Sequence, residues 1–223
     1  MSLFKDIVQL WNSDDLLSQA WDESYDMMVL SNEIFTKAIK YLRRNESIET
    51  IKTLKKRDAE INVFQQDVRR KVVTHYAVSQ NLKDLPSGLV LLNMVVDVER
   101  VGDYTKNILD LSLYYKDTIR AEDFSKDLAE IEKEVSSRFE KTIKAINSQD
   151  AEVAKSLMSS YKDVVSASDE IVKSCISGDI SLGNESKTAS LALYARYLKR
   201  IAAHLKNIST ILVNPFEAVG YKK

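Results

Sequence analysis

Apolar side chains recur every three to four residues along nearly the whole chain, the period of helices that bury one face. Leu16 to Arg43 carries the first such stripe, through Leu17, Trp21, Met28, Phe35, Ile39 and Leu42, opened by Ser13-Asp14-Asp15 as cap and acidic first turn. The three-residue link Asn45-Glu46-Ser47 makes the next helix antiparallel. That helix runs from Ile48 to about Gln80, with Ile51, Leu54, Ile61, Phe64, Val68 and Val72 facing inward. Asn81 to Ser87 breaks it, and Asp84-Leu-Pro-Ser starts a third helix that reaches about Tyr115, with proline tolerated in the first turn. Three more helices repeat the plan: Asp123–Asn147, Asp150–Ser177 and Glu185–Val213. Methionines at core spacing, such as Met27 and Met28, read as core.

The third helix holds the stretch on which the rest is organised, Leu91 to Leu109. Glu99, Asp103 and Asn107 stand four apart and form one polar row, in which two like charges repel by a few tenths of a kcal/mol. A cation should therefore face them. Leu191 to Ile208 repeats the stretch without a gap, keeping leucine at 91 and 191, arginine at 100 and 200, and Lys-Asn-Ile at 106–108 and 206–208. Self-similarity at a fixed offset marks a duplicated unit. The charges are not duplicated: Glu99 becomes Lys199, Gly102 becomes Ala202, and Asp103 becomes Ala203. The expected fold is all-α, two tandem three-helix bundles of six long antiparallel helices related by a pseudo-twofold. The divisions fall at residues 1–12 for a lead segment, 13–118 for the first repeat and 119–223 for the second.

Composition narrows the function. Five glycines and two prolines suit long helices with short links. A net charge of −1 provides no field for nucleic acid or for a polybasic membrane contact. Cys175 stands alone, which excludes an intrachain disulfide and a CxxC site. Met1–Trp11 lacks the continuous apolar core of a signal peptide, and no run of about 20 apolar residues could span a bilayer. A cytoplasmic protein is expected. Leu3, Phe4, Ile7, Leu10 and Trp11 form a short amphipathic stripe, read either as a docking helix or as a turn folded back on the bundle. Arg69-Arg70-Lys71 reads as a solvated face, and His75 as a satisfied or surface histidine. No glycine-rich phosphate loop, HExxH or Glu-x-x-His occurs, and His204 has no carboxylate four residues either way. The chain reads as no enzyme.

Asp97-Val-Glu-Arg-Val-Gly-Asp-Tyr-Thr-Lys-Asn-Ile108 closely resembles the Glu-Arg-Ile-Gly-Asp signature of the PhoU family. The Asp58-x-x-Ile-Asn62 run, Asp84-Leu85 before the signature helix, and the tandem halves agree with it. The resemblance implies a cytosolic regulator of phosphate uptake and phosphate-dependent signalling. It would act with a phosphate transporter and a sensor histidine kinase at the cytoplasmic membrane face, and a homodimer is compatible with it. It also implies iron, zinc or another divalent metal on Glu99 and Asp103, with Asp58, Asn62 and Asn107 as further polar residues. A metal-binding helical bundle is the alternative function.

This chain departs from the family pattern. Gln65 and Arg69 stand where an acidic pair is expected on the second helix, and Ser168 and Val172 at the matching places on the fifth. With residues 65 and 69 facing levels 103 and 99, Arg69 would form a salt bridge to Glu99 and Asp103 in place of metal. Lys199 would need an anion in the second half, with Asp169 the nearest candidate.

Overall fold

The computed structural model describes residues 15–44, 46–79, 82–115 and 126–221. The amphipathic lead segment, residues 1–12, lies outside them, as does the expected start of the fourth helix at Asp123. Among the described residues all regular structure is helical: α1 (Leu16–Leu42), α2 (Ile48–Lys56), α3 (Asp58–Ser79), α4 (Leu85–Tyr114), α5 (Lys126–Ser148), α6 (Ala151–Ser159), α7 (Tyr161–Ser177) and α8 (Glu185–Thr210). Caps explain several of the starts. Asp15 accepts from the Leu17 and Ser18 amides, Asp150 from Glu152 and Val153, and Asn184 from Lys187. Pro86 occupies the first turn of α4, where no amide is needed.

The second and fifth helices of the sequence reading are each broken by a single turn residue, Arg57 and Ser160. The periodicity passes through both breaks, because the inward face is unchanged on either side. At Arg57 the amide turns back on Leu54 and Lys55, while the guanidinium forks to Glu33 of α1 and Glu60. At Ser160 the cause comes from outside the helix: the Arg138 guanidinium of α5 donates to the Leu157 carbonyl and the Ser160 hydroxyl.

Each half packs its three helical rods on one another, α1 with α2–α3 and α4, and α5 with α6–α7 and α8. The two bundles share one core, joined chiefly where α4 lies on α8 and secondarily where α1 meets α5. Phe35 and Phe139 meet across the second seam, ring centres 5.6 Å apart. Met27 and Met28 are fully buried, as core spacing implies.

Contacts along the α4–α8 seam are reciprocal. Asp97 Oδ1 lies 2.7 Å from His204 Nδ1, and Tyr104 packs on Tyr197 at 6.2 Å. Position 97 of one half thus meets position 104 of the other, and the reverse, which is the signature of a twofold relation. The axis passes near Arg100 and Arg200.

Candidate functional site: the carboxylate cluster on the signature helix

Gly102 sets the site's geometry. It is buried in mid-helix, and a Cβ there would stand 3.0 Å from the Ile61 side chain and 3.3 Å from Asp58 Oδ1. Its missing side chain lets α3 approach α4 closely enough to bring Asp58 against the signature residues. Asp58, Glu99 and Asp103 then converge from two helices, each partly buried.

Two cations answer them. Lys106 Nζ lies 2.8 Å from Asp58 Oδ2 and 3.0 Å from Asp103 Oδ1. Arg100 Nη1 donates to Asp103 Oδ2 at 3.1 Å, and its Nε stands 3.7 Å from Glu99. Asn62 donates through Nδ2 to Asp58 at 3.4 Å. Asn107 lines the adjoining recess of about 380 Å³ with Arg100, Asp103, Tyr104 and Lys106. Burial opposes the charge of Lys106, yet hydrogen bonds to Asp58 and Asp103 outweigh it and raise its pKa. Glu99 is pushed above the usual carboxylate range, first by desolvation and then by Asp103, with Arg100 pulling the other way.

Arg69 takes no part in this cluster. It is exposed on α3, and the ion pairs of Glu99 and Asp103 run to Arg100 and Lys106 instead. The reason is register. Gln65 donates to the Val95 carbonyl at 3.3 Å, so residue 65 lies level with Val95 rather than Asp103, roughly two turns away. Antiparallel helices mirror about one level, and the contacts of Gln65 with Val95 and of Asp58 with Gly102 set that level four residues earlier than a pairing of 65 with 103 and 69 with 99 requires. Each residue of such a shift moves the facing level by two. The residues that face the signature are therefore Asp58 and Asn62, with 65 and 69 beyond them. Lys106 was legible all along as the i+3 neighbour of Asp103 on the helix surface.

In the second half Lys199 Nζ lies 2.6 Å from both oxygens of Asp169. The α7–α8 seam is thus closed by a lysine–aspartate pair, as Lys106 and Asp58 close the α3–α4 seam. His204 has its carboxylate after all, from Asp97 of the other half. Its ring stacks on Tyr104 at 5.8 Å, and Arg200 Nε donates to the Tyr104 hydroxyl at 3.0 Å. No spacing rule within one helix reveals a partner 107 residues away. His75 is buried, 3.8 Å from Asp84 and edge-on to Tyr76.

The isosteric Glu99→Gln removes the like charge beside Asp103 at little cost, because the exposed Arg100 keeps Asp103. It should raise stability by about 0.3 kcal/mol at neutral pH, or about 1 °C in Tm. A carboxyl whose folded pKa is raised favours the fold below its unfolded value and loses that contribution as pH rises through the folded one. The gain of Glu99→Gln should therefore vanish below pH 4.5, the ordinary value. Melting curves of both proteins at several pH values check this, and a pH-independent difference would refute it.

The fold defines a tandem helical-bundle protein, and comparison with known families agrees. The PhoU domain model matches residues 25–112 and again 128–212. The chain belongs to the PhoU family. The crystal structure of PhoU from Pseudomonas aeruginosa superposes with a TM-score of 0.78 at 19% identity, covering 89% of this chain and 95% of that one. The phosphate transport system regulatory protein PhoU from Streptococcus pneumoniae gives 0.76 at 20% identity, covering 88% and 93%. Among curated proteins compared by sequence, none matches. Among the described residues no helix is long and apolar enough to cross a membrane.

Proposed function

We propose that this chain is a non-enzymatic regulator of phosphate uptake and phosphate-dependent signalling. It works in the cytoplasm, peripheral to the inner membrane face, by binding a phosphate transporter and a sensor histidine kinase. The observation that carries this reading is the family match in both halves, supported by the likeness of nearly the whole chain to a phosphate transport regulator. A net charge of −1 gives no broad basic field for nucleic acid, and a homodimer fits the same role.

Deleting the gene should change phosphate uptake or the output of a phosphate-starvation reporter, and the chain should co-purify with a membrane transporter at native expression. Unchanged phosphate quota and reporter output at low and high phosphate would refute the function, whatever the fold.

A further inference from the structure

We infer that Lys106 is a tethered cation holding the place a divalent metal would take, so that the first-half cluster excludes iron, zinc and similar ions. The inference rests on the cluster's geometry and not on the transporter reading. One ammonium nitrogen bridges carboxylates from two helices, Asp58 of α3 and Asp103 of α4, at 2.8 and 3.0 Å. A metal ion joining the same helices through Asp58 and Asp103 would compete with Lys106 for those oxygens.

The rest of the donor set fits a metal poorly. The second oxygen of Asp103 is held by Arg100, and Asn62 offers its amide N–H toward Asp58 rather than an oxygen. Calcium-like ions need six to eight oxygens, and zinc four ligands of nitrogen, sulfur or oxygen. Among the described residues no group of three or more His, Cys, Asp or Glu is arranged to hold a metal. Three carboxylates, Asp58, Glu99 and Asp103, are already met by two resident cations, Lys106 and Arg100, so most of the charge that would attract a divalent ion is neutralised from within the chain. The second half follows the same logic in reverse. Its signature position is itself a lysine, Lys199, held on Asp169. Both seams are thus bridged by ammonium on carboxylate, with the cation supplied by the chain.

The test titrates Mn²⁺ into the chelator-stripped full chain, as wild type, Lys106→Met and Lys106→Gln, each first shown to be helical by circular dichroism. Wild type should show no saturable binding below millimolar Mn²⁺. At least one variant should bind one Mn²⁺ more than tenfold tighter than wild type. At a hundredfold excess over Kd that variant should gain about 5–10 °C in Tm, and adding Asp103→Asn should abolish the gain. Wild type binding Mn²⁺ as tightly as the variants would overturn the inference, as would folded variants that gain no affinity. Stoichiometric iron or zinc, found by elemental analysis in wild type purified without chelator and lost on Asp103→Ala, would overturn it independently of how the variants fold.

Discussion

Arg138→Ala should lower the unfolding free energy by about 4 kcal/mol, the largest effect expected of any single substitution considered. Arg138 is fully buried on α5, and burial pulls its guanidinium pKa down, with Glu134 opposing. Its donors hold the place where the rod α6–α7 breaks: Nη1 serves the Leu157 carbonyl, and Nη2 serves Ser160 Oγ at 2.9 Å and Glu134 at 3.1 Å. Alanine removes both the packed stem and the donors, leaving a cavity beside an unpaired carbonyl. Arg138→Met refills the stem's volume without donors and should cost about 2 kcal/mol, the price of the unsatisfied carbonyl. Urea unfolding of the three proteins checks this. Equal losses in both variants would mean that stem packing contributes nothing, and a loss below 1 kcal/mol for alanine would sink the argument.

Glu132→Ala should cost about 3 kcal/mol. Glu132 is a buried carboxylate of α5 that accepts from the Tyr194 hydroxyl of α8 at 2.6 Å and pairs with Arg43 at the end of α1. It therefore ties the second bundle together and pins the first bundle to it. Without it the buried Tyr194 hydroxyl loses its acceptor, whereas Arg43, half-exposed, can turn to water. Tyr194→Phe, which removes the donor and leaves Glu132 with Arg43, should cost only about 1 kcal/mol. Burial first, and then Glu132, hold the Tyr194 pKa well above its ordinary 10.0. A group with a raised folded pKa gives stability that is complete below the unfolded value and is lost as pH rises towards the folded one. The wild type should thus lose stability above pH 10 more steeply than Tyr194→Phe. Denaturant midpoints measured from pH 8 to 11 decide it, and parallel profiles would contradict this role of the tyrosine.

The helices and the duplication were legible in the sequence, with α4 and α8 as equivalent elements of the two halves. Each is written in short-range periodicity or in direct repetition. The breaks at Arg57 and Ser160 were not, since no glycine or proline marks them and the second is imposed by an arginine 22 residues away. The site was half legible. Glu99, Asp103, Asp58 and Asn62 were picked out by spacing and by the family signature, and the structure brings them together. The cation opposite them was sought across the helix seam, at Arg69, when helical i+3 neighbours already supplied it. Register between antiparallel helices depends on where a link folds, and a small error there is doubled on the facing helix. Lys199 and Asp169, chosen under the same uncertainty, do meet, because the lysine is long enough to reach its partner.

The reciprocal seam also acts as a ruler. Asp97 and Tyr104, like Tyr197 and His204, are seven residues apart, two helical turns or about 10.5 Å. A single residue inserted between Tyr197 and His204 would swing everything beyond it by about 100°. Tyr197 and His204 could then no longer both reach Tyr104, nor could His204 reach Asp97. Insertions and deletions are thus barred from the middle of α4 and α8, and changes in chain length are confined to links such as residues 178–184. Whatever partner the molecule meets, it meets two bundles whose relative angle is set by side-chain spacing along two helices.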